Sequence, residues 1–455
     1  MARARWGELG RAAEGLEIYV EESRRRTLRW EDGRLEEAVD ASDAGIGLRA
    51  LAGNVRFASL DARRPLSQGP TSEEARTFHA LAQTLVQRKA AVSRRPLLAF
   101  APPTVKPDEA PAQEKVRWLA RADRAARRDR RIRQVRLTLG ELSKNVAGVT
   151  AEGRAFSESR SYVTLVAQVT AADGRQRQSG YEVTAIQGGW NDLLRANPSA
   201  LAARAARRAL AKLAAPAAPL GEMAVVIAAQ AGGTLIHEAV GHSLEADSIE
   251  DGSSPHYAGK IGRVVAGEKI SVLDDPTLPG QRGSFGVDDE GTPSERTVLI
   301  ENGVLRTYLY DRRTAGAAGR LSNGHGRRES YAHRPIPRMS NTFIAPGPDD
   351  PRRILQELKR GLFVTRLGGG QVNTATGDFV FEVEEGFWVE GGRVKNPVRG
   401  ANLLGNGPDV LRSIDRVGWD LGWSVGTCGK EGQNVPVSDG LPTLRIPRVV
   451  VGGAA

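Results

Sequence analysis

The segment AAPAAPLGE, Ala214–Glu222, constrains the fold more than any other stretch of the chain. It ends an alanine-rich helical pattern, Ser199–Ala214. A helix cannot continue through Pro216 and Pro219, which lack an N–H and clash with the preceding turn. Beyond it the pattern changes. GEMAVVIAAQAGG opens with a buried strand, and hairpins follow. TVLIENGVLRTYLY turns at Asn302-Gly303, and DFVFEVEEGFWVEGGRVKNPV turns at Gly391-Gly392. The break therefore predicts a β-rich C-terminal domain, 222–455, behind an N-terminal half in which helices and strands mix.

That half reads as two α+β units. Glu17–Ser59 has strand alternation with a hairpin signal at Asp32-Gly33. Thr71–Val92 predicts a helix: Thr71 and Glu74 have capping-box spacing, and Phe78, Leu81, Leu85 and Val86 form an apolar stripe. Five prolines within 95–113 predict a linker. Arg117–Arg136 reads as a basic helix with Trp118, Leu119, Ala122, Ala125 and Ala126 at helical spacing. Val135–Ile186 reads as antiparallel strands turning at Asp173-Gly174. The expected class is α+β: small antiparallel sheets and helices in units 1–94 and 114–216, then the β-rich domain carrying the helix described next.

LIHEAVGHSLEAD, Leu235–Asp247, places two histidines around a glutamate. The familiar zinc-protease form is H-E-x-x-H, and this stretch has one residue more. On an ideal α-helix positions i and i+5 stand roughly 140° apart, so His237 and His242 would diverge. A π-turn holds more residues and returns them to one face. Gly241 before the second histidine could ease that change. Zinc in hydrolases takes three protein ligands and keeps one position open. Glu238 occupies the general-base position of the shorter motif. For the third ligand, Glu245 and Asp247 are near in sequence. Cys428, the single cysteine, has the stronger chemical case, with Lys430 beside it to favour the thiolate. The bare string also arises by composition, and a lone cysteine is more often core than ligand.

Bulk properties exclude several classes. With 455 residues the chain has room for two or three domains. One cysteine cannot make an internal disulfide. No apolar run is long enough to span a bilayer. MARARWGELGRAAEGLEIYV has no apolar core of a secretory signal, which points to the cytoplasm. The net charge of +10 centres on the basic helix. No groove-reading or base-stacking module accompanies it, so it reads as a solvated face rather than a nucleic-acid surface.

HEAVGHSLEAD, GSFGVDDEGTPSERTVLIENGVLRTYLYDR, NGHGRRESYAHRPIPRMSNT, GGGQVNTATGDFVFEVEEG, VRGANLLGNGPDVL and CGKEGQNVPVSDGLPTLRI follow one another over Met223–Ile446. In this order they resemble the C-terminal blocks of the TldD/PmbA, or modulator of gyrase, family. GLEIYVEESRRRTLRWEDGRLEEA and GIGLRALAG resemble its N-terminal half more loosely. The family's active TldD-type subunit carries H-E-x-x-x-H and a late cysteine, and its PmbA-like (TldE) paralogue lacks them. Both features are here. The resemblance implies a Zn²⁺ metallopeptidase that degrades unfolded peptides or trims precursors, with His237, His242 and Cys428 on the metal and Glu238 as base. It also implies an enclosed dimer, with the TldE-like paralogue or with a second copy.

An enclosed site would admit extended peptides, which bind well along a sheet edge. Gly369 and Gly370 in GGGQVN would let a peptide backbone approach. In GRRESYAHRP, His333 or Tyr331 would stabilise an oxyanion and Arg328 would hold a peptide carboxylate; a surface loop with ion pairs is the plainer reading. GVDDEGTP, Gly286–Pro293, reads as a capped loop rather than a second metal site. The competing functional reading is a non-catalytic modulator or nucleic-acid-associated partner. It gives no reason for Glu238 between two histidines.

Overall fold

The computed structural model of the chain describes residues 16–51, 56–62, 72–86, 110–195 and 198–453. Six strands of the N-terminal half form one antiparallel sheet: β1 Leu16–Glu31, β2 Arg34–Ala50, β3 Arg56–Asp61, β4 Ile132–Val149, β5 Ala155–Asp173 and β6 Gln176–Gln187, in the order β3-β2-β1-β4-β5-β6. Asp32 and Gly33 take φ of 46° and 88°, the conformation of the tight hairpin turn their sequence signals. β1 then pairs β4 from Ile18↔Val149 to Glu31↔Arg136. The two N-terminal units thus share one long sheet in place of separate small ones. The proline-rich segment separates them in sequence alone. Most of it, 95–109, lies outside the described residues, as does the Thr71 cap.

Strand alternation sorts the two faces of this sheet. Val135, Leu137 and Leu139 of β4 and Val163, Leu165 and Ala167 of β5 are buried on one face, packed with the helices Ala112–Ala126 and Pro198–Ala214. Trp118 and Trp190 meet edge to face with centroids 5.6 Å apart. The first of these helices corrects two expectations. It starts at Ala112, inside the expected linker, and it stops at Ala126 instead of running to Arg136. Arg131 bonds Asp129 in a turn, and β4 begins at Ile132. Arginine is a good helix former, but the helical apolar spacing ends at Ala126, and strand spacing takes over.

The opposite face meets the C-terminal half. Arg160 pairs with Asp289 at 2.8 Å, and Arg328 lies over the Tyr19 ring at 4.2 Å. The Tyr331 ring fills the space where a side chain at Gly45 would stand.

In the C-terminal half, Gly221–Ile227 pairs Leu444–Gly453, followed by Ala401–Asn406, Asp378–Glu390 and Arg360–Val372. Gly361–Val364 then pairs in parallel with Ala224–Ile227 and closes a five-stranded barrel. A second sheet contains Thr297–Glu301, Val272–Asp274, Asn341–Ile344, Gln433–Leu441 and, at its edge, Gly422–Lys430. The helical stretch 234–244 shares the core between barrel and sheet through Leu235, Ile236, Ala239, Val240 and Leu244. Among the described residues no helix is long and apolar enough to cross a membrane.

Candidate metal centre

The chain enters the site as an α-helical turn, Thr234–Ile236. From His237 to Gly241 it widens into a π-helix, and it tightens to a 3₁₀ turn over His242–Leu244. This is the distortion the extra residue requires: a π-turn brings i and i+5 to one side. The His237 and His242 rings accordingly stand 5.1 Å apart between centroids and nearly perpendicular. Gly241 contributes differently from expectation. Its φ of −56° and ψ of −52° are ordinary helix, so no conformational easing is involved. It provides room, since a Cβ there would lie 2.0 Å from Met339 Sδ.

Cys428 arrives on the edge strand Gly422–Lys430, which pairs Gln433–Leu441 through a turn at Glu431-Gly432. Its Sγ lies 3.4 Å from His242 Nε2. One ligand atom from each of His237, His242 and Cys428 falls within 4.8 Å of the others. No other such group of His, Cys, Asp or Glu occurs among the described residues. Cys428 and His237 are buried, and Glu238 is half-buried.

The surroundings fix the donors. Glu245, with no exposed surface, accepts from His242 Nδ1 at 2.9 Å and from Lys430 Nζ at 3.0 Å. Its other oxygen accepts from Met339 N at 3.3 Å. The carboxylate orients the imidazole, as partners of metal-binding histidines do. Lys430 corrects a second expectation: it binds Glu245 and, at 2.6 Å, Asp247, and leaves the thiol to the histidines. Arg338 donates to the Cys428 carbonyl. Asp439 stands 3.9 Å from His237 Nδ1, a buried nitrogen without a hydrogen-bond partner. Ser424 Oγ donates to the Asp439 carboxylate at 2.7 Å.

Burial pushes the Cys428 thiol up, but His237 and His242 outweigh it and hold it well below the usual thiol range. Burial pulls His237 down, yet Cys428 and Asp439 bring it up to about 9. His242 rises too, against burial, through Glu245 and Cys428. The two rings therefore favour the ionised form of the thiol. Two imidazole nitrogens and a thiolate are a zinc donor set. Their donor atoms lie within 4.8 Å of one another, so the residues fit the metal. Burial raises the Glu238 carboxyl, with both histidines opposing.

The other candidates are engaged elsewhere. Arg328 is buried on Tyr19 and donates to Asp289 O at 3.1 Å and His333 O at 3.4 Å. The Tyr331 hydroxyl lies 2.9 Å from the carboxylates of Asp43 and Asp61. His333 bonds Ser330 across a turn. Arg328 and Tyr331 belong to the seam with the N-terminal sheet. Gly369 is exposed, and Gly370 makes room for the Phe381 ring; both lie on Arg360–Val372 beyond its parallel pairing at Gly361–Val364. Of the acids of GVDDEGTP, Asp288 caps its loop, accepting from the N–H groups of Glu290, Thr292 and Gly326, while Asp289 and Glu290 pair with Arg160 and Arg49.

Sequence models of the PmbA/TldA metallopeptidase match this chain in three parts: domain 1 over 16–69, the central domain over 105–213 and the C-terminal domain over 220–453. The metalloprotease TldD homolog of Haemophilus influenzae is 35% identical, covering 96% of this chain and 92% of its own. The zinc metalloprotease TldD homolog of Saccharolobus solfataricus is 32% identical over 51% of this chain and 52% of its own. The fold is that of crystalline TldE from Thermococcus kodakarensis, with a TM-score of 0.75 at 19% identity and all of both chains covered.

Proposed function

Because the chain belongs to the PmbA/TldD metallopeptidase family, we propose that it is a zinc-dependent peptidase of small or unfolded peptides. The observation that carries this reading is the convergence of His237, His242 and Cys428 donor atoms within 4.8 Å, with Glu238 next to the first of them. His237, His242 and Cys428 would hold the zinc. When bound, zinc supplies Lewis acidity toward a peptide carbonyl and an attacking water.

The chain's own groups do the rest. Glu238 takes the proton from water as it attacks and returns it to the departing amine. Its raised pKa makes the carboxyl a better proton acceptor than a solvated glutamate. Glu245 holds His242 in one tautomer, and Asp439 faces the far nitrogen of His237. Gly369 and Gly370 stand on a strand whose parallel pairing ends at Val364, and an extended peptide would add there by backbone hydrogen bonds. Arg328 and Tyr331 act in this reading by holding the N-terminal sheet against the peptidase half, and His333 by bracing their loop through Ser330. The likeness to TldE supports an enclosed assembly with a TldE-like paralogue, a second copy being the other form; the cytoplasm suits a site built on a thiolate.

Metal analysis by mass spectrometry tests the reading. About one zinc per chain is expected in the wild type, lost in His237→Ala and in Cys428→Ala. A protein that takes no zinc on reconstitution, alone or with its paralogue, overturns it.

A further inference from the structure

The N-terminal sheet and the C-terminal half do not close fully on each other. Between them lies a cleft of about 320 Å³. Its floor is Arg25 and Thr27 of β1, Gly140 and Leu142 of β4, and Tyr162 and Thr164 of β5, all on one face of the sheet. Gly140 opens the middle, since a Cβ there meets nothing within 4 Å. The roof is Arg282, Arg327 and Arg328, joined by Thr427 and Pro436 from the 422–441 hairpin. Thr427 faces the other way from its neighbour Cys428, so the cleft backs onto the metal centre and is separate from it.

The roof carries unbalanced charge. Arg282, Arg327 and Arg328 have no carboxylate within ion-pair distance among the described residues; their guanidiniums meet neutral oxygens and the rings of Tyr162, Phe285 and Tyr19. Arg282 donates to Gly426 O at 3.1 Å and Thr164 Oγ1 at 2.8 Å. Arg327 donates to Pro436 O at 2.8 Å and to Met339 O. Arg328 bonds the carbonyls of Asp289 and His333. Arg327 and Arg328 are only 2% and 3% exposed, and the Nε of each is buried without a partner. Of the acids at the cleft, Asp289 pairs with Arg160 at 2.8 Å and Glu141 with Lys115 at 2.6 Å, which leaves Glu329, bonded to the Asn434 N–H at 2.6 Å, as one carboxylate against three guanidiniums.

A buried charge without a counter-charge is costly. Three guanidiniums across one cleft mark a place where negative charge comes from outside. We propose that this cleft binds an oxyanion, the carboxylate or phosphate group of a small ligand, on Arg282, Arg327 and Arg328. Guanidinium forks match both groups geometrically. The source is either a peptide carboxylate or free phosphate. Arg282 and Arg327 also grip the hairpin at Gly426 and Pro436, whose far face carries Cys428 and Asp439, so an occupant would steady the strand pair behind the metal centre.

Calorimetric titration of the zinc-loaded protein tests the site with acetyl-alanine, its neutral amide and inorganic phosphate. At least one anion should bind, more weakly in high chloride, while the amide does not. Arg282→Gln should weaken binding at least tenfold. Because Arg282 also supports the hairpin, Arg25→Gln, at the exposed side of the floor, is the second variant, expected to weaken binding several-fold with zinc content unchanged. Binding of acetyl-alanine alone identifies a peptide carboxylate as the source, and binding of phosphate alone identifies free phosphate. No binding by either anion, or binding undiminished in both variants, overturns the proposal.

Discussion

His242 Nδ1 donates to Glu245 Oε2 at 2.9 Å, while its other ring nitrogen lies 3.4 Å from Cys428 Sγ. One carboxylate therefore decides which nitrogen of the ring faces the thiolate. Glu245 can do so because it is itself held by Lys430 and the Met339 N–H. It sits where the chain leaves the 3₁₀ turn in an extended conformation, φ −73° and ψ 127°. Burial pushes its carboxyl up, but Lys430 and His242 hold it well below the carboxylate range, so it stays ionised.

Glu245→Gln keeps the shape of this contact and removes its charge. Zinc affinity is expected to fall about 10- to 100-fold, the usual cost of losing a partner behind a metal ligand. Competition with a chromophoric chelator reads this directly. Unchanged affinity would show that Glu245 serves packing alone.

Gly241→Ala places a methyl 2.0 Å from Met339 Sδ. Overpacking of this kind costs about 1–3 kcal/mol. Urea denaturation should show that loss, and a Gly241→Ala, Met339→Ala double variant should lose less than the two singles together. Strict additivity would mean that the methionine swings aside freely.

Much of the site was readable in the chain because its parts are local. The spacing of His237 and His242 contains its own geometry: five positions need a widened turn, and the backbone has one. What escaped reading depends on register between distant segments. Asp439 comes to His237 only through the hairpin turning at Glu431-Gly432, which pairs Ser424 with Asp439 four residues before Cys428. A reader who took that glycine turn as a hairpin could have put Ser424, Cys428, Lys430 and Asp439 on one face. Lys430 misled for the same reason, since nearness in sequence to Cys428 says nothing about the acids across from it. The shared N-terminal sheet was hidden because β1 pairs β4 across about a hundred residues, and local alternation carries no label for its partner.

Asp311 gives the fold a pH dependence. Burial and Glu290 push its carboxyl up to about 7, against hydrogen bonds from Thr314. The folded chain then keeps a proton that the unfolded chain releases near pH 4. The stability this contributes is full below about pH 4, declines as pH rises and is gone above about 7. Asp311→Asn keeps an acceptor for the Thr314 N–H and removes the titration. Its stability relative to wild type should rise between pH 5 and 7, by at most about 1.4 kcal/mol per pH unit. Denaturation series at several pH values check the slope, and parallel curves would deny Asp311 this role.

Glu238→Gln separates chemistry from metal binding. Glutamine has the size of glutamate and cannot accept a proton, and Glu238 is not among the three converging donors. The variant should hold zinc as the wild type does and lose about 10²- to 10⁴-fold in kcat with little change in KM. Cys428→Ala should behave oppositely at the first step, losing zinc before any question of proton transfer arises. If Glu238→Gln lost zinc as well, the glutamate would be holding the π-turn together. If it kept both zinc and full turnover of an unfolded peptide, the proton would leave water by another group. Asp439, buried 3.9 Å from His237 Nδ1 and raised in pKa by that burial, would then be the carboxylate to replace next.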